Sequence, residues 1–305
     1  MSYPPAPPPA PRGAATQWHY EQIMSDVNQG IASFVAVGDS FTEGMNDTEG
    51  LNDAAPDGGF RGWADRLAEM IAERDPGFRY ANLAVRGKLL GQIVNDQVPA
   101  ALSLLAEAPR PALVSIAGGG NDLLRPGGDP DSLAELFDAA VARLRQAGSQ
   151  VLMFTGFDPR GFPLSLIRGR VAAYNMHLRG IADARGCDLV DLWSMRSLAG
   201  SSAWSSDRLH LSSRAHREVA ERAAEVLGII PASGTEPPPL VWSSVERGKP
   251  IGRAAWLAAR RADAQWAREY FAPWVQRRIA GISSGDGRAP KRPGLLPLTA
   301  PADTR

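Results

Sequence analysis

Five short apolar runs, at 34–37, 80–85, 112–117, 151–154 and 188–192, alternate with amphipathic stretches along the chain. No other feature constrains the fold as tightly. A strand that is apolar on both faces must be covered on both faces, which is the situation of a parallel sheet between two helical layers. The intervening segments suit those layers. In "GWADRLAEMIAER", Leu67, Met70 and Ile71 recur at helical spacing, as do Leu133, Leu136, Val141 and Leu144 in "DSLAELFDAAVARLRQAG". Gly148 closes the second of these in the usual C-terminal manner. The expectation is a doubly wound α/β domain over residues 31–230 with a five-stranded parallel sheet and no internal repeat.

The flanks have a different character. Residues 1–30 open with "MSYPPAPPPAPRG", whose six prolines oppose a helix. Lacking a basic start and an apolar core, this segment does not read as a secretory signal. It reads as a disordered polyproline-type tail, or as a ligand for a proline-recognising module. The lone Cys187 excludes an internal disulfide and fits a reducing compartment. No run reaches the ~18 apolar residues of a membrane span, so a cytoplasmic location is expected.

Formal charge sums to zero, which gives no pointer to nucleic acid, but its distribution is uneven. Residues 241–305 hold twelve Lys/Arg and five Asp/Glu, a net +7, which leaves −7 on residues 1–240. With "GTEPPPL" at 234–240, this split marks residues 231–305 as a linker, a basic Trp-containing helical extension and a disordered tail. The helix is expected over about 252–271, with Pro273 opening a second. Ala255, Ala259, Ala262, Trp266 and Tyr270 share one stripe, expected to dock on the acidic core. Contact with an anionic membrane surface is the less favoured alternative. The segment "GRAPKRPGLLPL" is expected to be disordered.

In doubly wound sheets ligands bind beyond the carboxyl ends of the strands. Ser40 follows the first run in "FVAVGDSFTEG", Gly87 the second, and Asn121 the third in "AGGGND". The fourth ends in "TGFDPRG" and the fifth leads to "SSDRLHLSS". Ser40 is therefore either a helix cap or a nucleophile. A serine nucleophile needs a base, and the base an orienting group. Of four histidines, His19 adjoins the tail, while His177 and His216 fall inside helical patterns. His210 lies in a loop with Asp207 three residues before it.

Donors for a developing oxyanion are available from the backbone N–H groups of Ser40 and Gly87 and from the Asn121 amide. Asp39 and Asp122 read as loop anchors that accept from backbone amides. Phe41, Phe60, Trp63, Phe157, Phe162 and Trp204 are candidates for an acyl pocket, with core packing as the alternative. The glycine-rich loop at 43–62 is either a cover or a surface insertion. Two other motifs fail. Leu123 occupies the last glycine of a dinucleotide fingerprint, and "GISSG" at 281–285 has no strand before it and no histidine after it.

The motifs around Ser40, Gly87, Asn121 and Asp207-x-x-His210, in that order, resemble the four blocks of the SGNH (GDSL) hydrolase family across roughly residues 31–230. The resemblance implies a flavodoxin-like three-layer fold and ester hydrolysis without metal or cofactor. It implies Ser40 as nucleophile, His210 as base and Asp207 as its partner. Ser40, Gly87 and Asn121 then form the oxyanion hole. Phe41 stands where the family has leucine, which should alter pocket shape. A small-molecule ester is the implied substrate. Acyl transfer and carbohydrate deacetylation are alternatives on the same site. A non-catalytic module that recruits partners through the extension belongs to another class, and the intact Ser40, Asn121, Asp207 and His210 speak against it.

Overall fold

The computed structural model describes residues 30–49, 59–159, 164–230, 260–261, 263–273, 276 and 283–298. Strand β1 (Ser33–Val37) is buried at all five positions, because it lies mid-sheet with helices on both sides. It pairs in parallel with β2 (Arg79–Asn82) on one edge and β3 (Ala112–Ile116) on the other. β4 (Gln150–Phe154) and β5 (Asp188–Val190) continue the parallel sheet.

Alternate residues of β1 feed two separate cores, as the period of a strand requires. Val35 and Val37 pack with Ile93, Phe137 and Leu178, beneath the helices α2 (Val98–Ala106), α3 (Pro130–Gln146) and α4 (Arg168–Arg185). Phe34 and Ala36 pack with Trp63, Leu67 and Val219 against α1 (Gly62–Ala72) and α5 (Ser213–Val226). The result is the α/β/α sandwich that the continuous apolar runs demand. Among the described residues no helix is long and apolar enough to cross a membrane.

The sheet has six strands, not five. β6 (Arg292–Pro297) pairs antiparallel with β2, giving the order β5-β4-β3-β1-β2-β6. This strand lies within the segment expected to be disordered. Its two prolines mask it in the sequence, yet an edge strand tolerates residues without an N–H, because one of its sides has no ladder to complete. A second difference concerns Pro273, which does not open a new helix. The helical backbone at 263–273 reaches it without a break, with a wide π turn at Ala267–Phe271 just before. Such a turn relieves the clash between a proline ring and the preceding carbonyls. Residues 1–29 and 231–259, including the proline-rich tail, "GTEPPPL" and Trp256, lie outside the described residues.

Candidate active site

The chain leaves β1 through Gly38, where a β-carbon would lie 2.5 Å from Thr42 Oγ1 and 2.9 Å from the Ala117 carbonyl. Only glycine fits. Gln97 clamps this residue from a π turn at Ile93–Gln97, accepting from its N–H at 2.7 Å and donating to its carbonyl at 2.9 Å. Asp39 then caps the single helical turn Ser40–Glu43, its Oδ1 accepting from Phe41 N–H at 3.1 Å. Ser40 is thereby the first residue of a helix turn, where a backbone N–H has no intrahelical acceptor.

Across the cavity, His210 Nε2 lies 3.2 Å from Ser40 Oγ, and His210 Nδ1 lies 2.7 Å from Asp207 Oδ2. The Asp207 carboxylate accepts four further bonds. Ser205 Oγ (2.7 Å), Leu209 N–H (2.9 Å) and His210 N–H (3.0 Å) donate to Oδ1, and Asn46 Nδ2 (2.8 Å) donates to Oδ2. Burial would raise its pKa, but His210 and these donors outweigh burial and hold the carboxyl well below the usual range. An ionised Asp207 can only accept, so Nδ1 carries the proton and Nε2 presents a lone pair to the serine. Asn46 and Ser205 are site residues that sequence reasoning missed. Ser205 had one signal, a small hydroxyl two residues before the acid.

Gly87 adopts φ 73°, and a β-carbon there would meet Ser283 Oγ at 2.1 Å. Its loop is tied to the Ser40–Glu43 turn by Arg86, whose N–H donates to Glu43 Oε2 (2.6 Å) and whose Nε donates to Glu43 Oε1 (2.9 Å). The N–H groups of Ser40 and Gly87 have no acceptor among the described residues. Asn121 Nδ2 reaches the same place but donates to Asp39 Oδ2 (3.0 Å) and the Lys88 carbonyl (3.1 Å). Burial pushes the Asp39 carboxyl up to about 6, although the bond from Phe41, the nearby His210 and Asn121 pull it down. Asp122 Oδ2 accepts from Leu90 N–H at 3.0 Å.

Ser40, Gly87, Asn121 and His210 open into one cavity of about 1400 Å³. Phe41, Phe60, Phe157 and Trp204 line it, whereas Trp63 stands behind the wall, fully buried and stacked on Phe41 at 5.5 Å. Phe162 lies outside the described residues. His216 is buried, its Nδ1 accepting from Trp63 N–H at 3.3 Å, and burial pushes its pKa down to about 4. His177 is exposed and pairs with Asp131.

The loop beginning at residue 43 is pinned at its base. Arg61 N–H and Gly62 N–H donate to Asp47, at 2.9 Å to its carbonyl and 3.0 Å to its carboxylate. Residues 50–58 of that loop lie outside the described residues. Trp266 and Tyr270, two members of the stripe expected to dock on the core, also line the cavity, together with Ser283 and Ser284. The "GISSG" Ser283 therefore sits against Gly87. No group of three or more His, Cys, Asp or Glu side chains among the described residues is arranged to hold a metal ion.

The sequence model of the GDSL-like lipase/acylhydrolase family matches residues 36–218. No curated protein matches the chain as a sequence relative. Among solved structures, an α/β hydrolase enzyme from the metagenome of Lake Arreo aligns with TM-score 0.54 and 19% identity, over 68% of this chain and 99% of its own. TesA aligns with TM-score 0.52 and 23% identity, over 65% and 99%. An acetylxylan esterase from Geobacillus stearothermophilus aligns with TM-score 0.52 and 17% identity, over 65% and 94%. At these identities the likeness is one of fold.

Proposed function

The chain belongs to the GDSL-like lipase/acylhydrolase family, and from that premise we propose that it is a serine esterase working through a covalent acyl-Ser40 intermediate. The observation that carries this is the relay from Asp207 through His210 to Ser40, at 2.7 Å and 3.2 Å, opening into a largely apolar cavity. Ser40 Oγ attacks the ester carbonyl while His210 Nε2 takes its proton. The tetrahedral oxyanion receives the Ser40 and Gly87 N–H groups, with Asn121 as a third donor once it releases the hydrogen now on the Lys88 carbonyl. His210 then protonates the departing alcohol, and water repeats the sequence on the acyl-enzyme.

The aromatic lining favours an apolar acyl or alkyl group over a sugar. Water as acceptor is the simplest completion, and acyl transfer would need a second alcohol in the same cavity. We place the protein in the cytoplasm, in keeping with its single, half-buried Cys187, whose thiol burial pushes up to about 11. Labelling by a fluorophosphonate tests the reading. Modification at Ser40, lost in Ser40→Ala, is the expected result. A native protein that neither labels nor hydrolyses any ester from acetyl to long-chain overturns it.

A further inference from the structure

Trp266 grips the loop that carries the base. Its indole Nε1 donates to the Asp207 carbonyl at 2.8 Å. The Arg208 guanidinium lies over its ring, 5.2 Å from the centroid, and pairs with Asp263 at 2.9 Å. Asp263 precedes Trp266 by three residues on the same helical segment, so both contacts fall on one face.

That loop needs holding. Arg208 sits at φ 55°, a left-handed conformation disfavoured for any residue with a β-carbon. The same turn lets the Asp207 carboxylate fold back to accept from Leu209 N–H, His210 N–H and His210 Nδ1. Trp266 fixes the carbonyl before the strained residue and its ring fixes the side chain of that residue. The turn is therefore braced from outside as well as by its own carboxylate. The ring of Trp266, with Tyr270 four residues on, also lines the cavity.

We propose that Trp266 is a positioning residue for loop 207–210 and, with Tyr270, a wall of the substrate cavity that selects on the size of the bound group. The inference rests on the esterase reading above, and makes the C-terminal helix part of the active site. A cation-π contact and an indole hydrogen bond can be separated by substitution, because Trp266→Phe keeps an aromatic ring and removes the N–H.

In full-length Trp266→Phe, kcat is expected to fall about 3–10-fold for every ester, the scale of one net hydrogen bond. KM should stay within about twofold and the ranking of esters should hold. The low-field proton resonance of His210 Nδ1–H should shift or broaden. Trp266→Ala and Tyr270→Ala open the wall, and each should raise the ratio of kcat/KM for bulky over acetyl esters by about tenfold. Native kcat with an unmoved Nδ1 proton in Trp266→Phe overturns the positioning role. An unchanged ester ranking in both alanine variants overturns the wall. If the native protein hydrolyses nothing while the Nδ1 proton still moves in Trp266→Phe, the esterase reading falls and the positioning role stands.

Discussion

Residues 33–226 and residues 260–298 meet at one cavity but hold to it by different physics. The first stretch is fixed by burial, with Phe34, Trp63, Phe137 and Leu144 wholly out of water in two cores. Each such side chain contributes roughly 1.5–3 kcal/mol, without regard to direction. Among its described residues the second stretch adds little to either core beyond Leu295 and Leu298 at the margins. It holds through directed donors. Trp266 donates to a carbonyl, Arg292 Nε donates to the Tyr80 carbonyl at 2.9 Å, and Lys291 Nζ serves four oxygens. Burial decides that the domain folds, whereas directed bonds decide where its loops stop.

The widest split between the two regions should appear in activity. Ser40→Ala and His210→Ala are expected to lower turnover by more than about 10⁴-fold while the melting temperature stays near native, since neither side chain supports a core. Purified Ser40→Ala with normal turnover would remove the mechanism. Asn121→Ala comes next. One oxyanion donor is worth about 2.7–4 kcal/mol in the transition state, so kcat should fall 10²–10³-fold with little change in KM. A loss carried mainly by KM would make Asn121 a ground-state binder, consistent with its present bonds to Asp39 and Lys88.

The same contrast explains what could be read from the sequence. The α/β/α fold follows from continuous apolar runs, and a motif fixed at a strand end places Ser40, Gly87, Asn121 and His210 on one edge without any knowledge of packing. Directed contacts from afar leave no such trace. Lys291 and Asp65 are 226 positions apart, Asn46 and Asp207 161, and nothing in the local pattern of either pair marks it. Gln97 was hidden for a related reason, as its clamp on Gly38 depends on a π turn that apolar periodicity does not reveal. The stripe expected to dock on the acidic core includes Trp266, whereas Lys291 falls in the segment expected to be disordered.

Lys291 provides a direct test of that correction. Its ammonium lies 2.7–2.8 Å from the carbonyls of Glu43, Phe60 and Arg61 and from Asp65 Oδ2, so three hydrogens satisfy four oxygens. It thereby ties both ends of the 43–62 loop to the segment that leads into β6. Lys291→Met keeps the stem and removes the donors, leaving Asp65 without its cation. Losing one partner of a buried pair costs about 3–5 kcal/mol, and partial exposure here lowers the expectation to about 2–3 kcal/mol. Thermal unfolding should show a fall of roughly 4–12 °C. Arg260→Ala, which breaks only an exposed pair with Asp263, should move stability by less than about 0.5 kcal/mol. Equal effects from the two variants would return the dock to nonspecific charge.

Two carboxylates on the core side of the molecule separate the regions most finely. Burial raises both Asp65 and Asp39 above the ordinary range, but Lys291 partly offsets the first, while no lysine or arginine is among the chief influences on the second. With a folded pKa of about 6 against an ordinary 3.8, Asp39 favours the native state when protonated. Its contribution is full below about pH 3.8 and is lost as pH rises through 6. The difference of roughly 2 units corresponds to at most about 3 kcal/mol. Asp39→Asn cannot ionise, so its stability relative to native protein should climb between pH 4 and 6 and stay level above. The net gain at pH 8 should be about 1–2 kcal/mol, because the neutral amide gives weaker bonds to Phe41 N–H and Asn121. His216, depressed to about 4, adds a slope of the opposite sign over pH 6.5 to 4, but it is common to both proteins and cancels in their difference. Urea unfolding at half-unit pH steps supplies that difference. A flat difference from pH 4 to 8 would mean that Asp39 titrates as an ordinary carboxylate, and that its burial in the Ser40 turn carries no electrostatic cost.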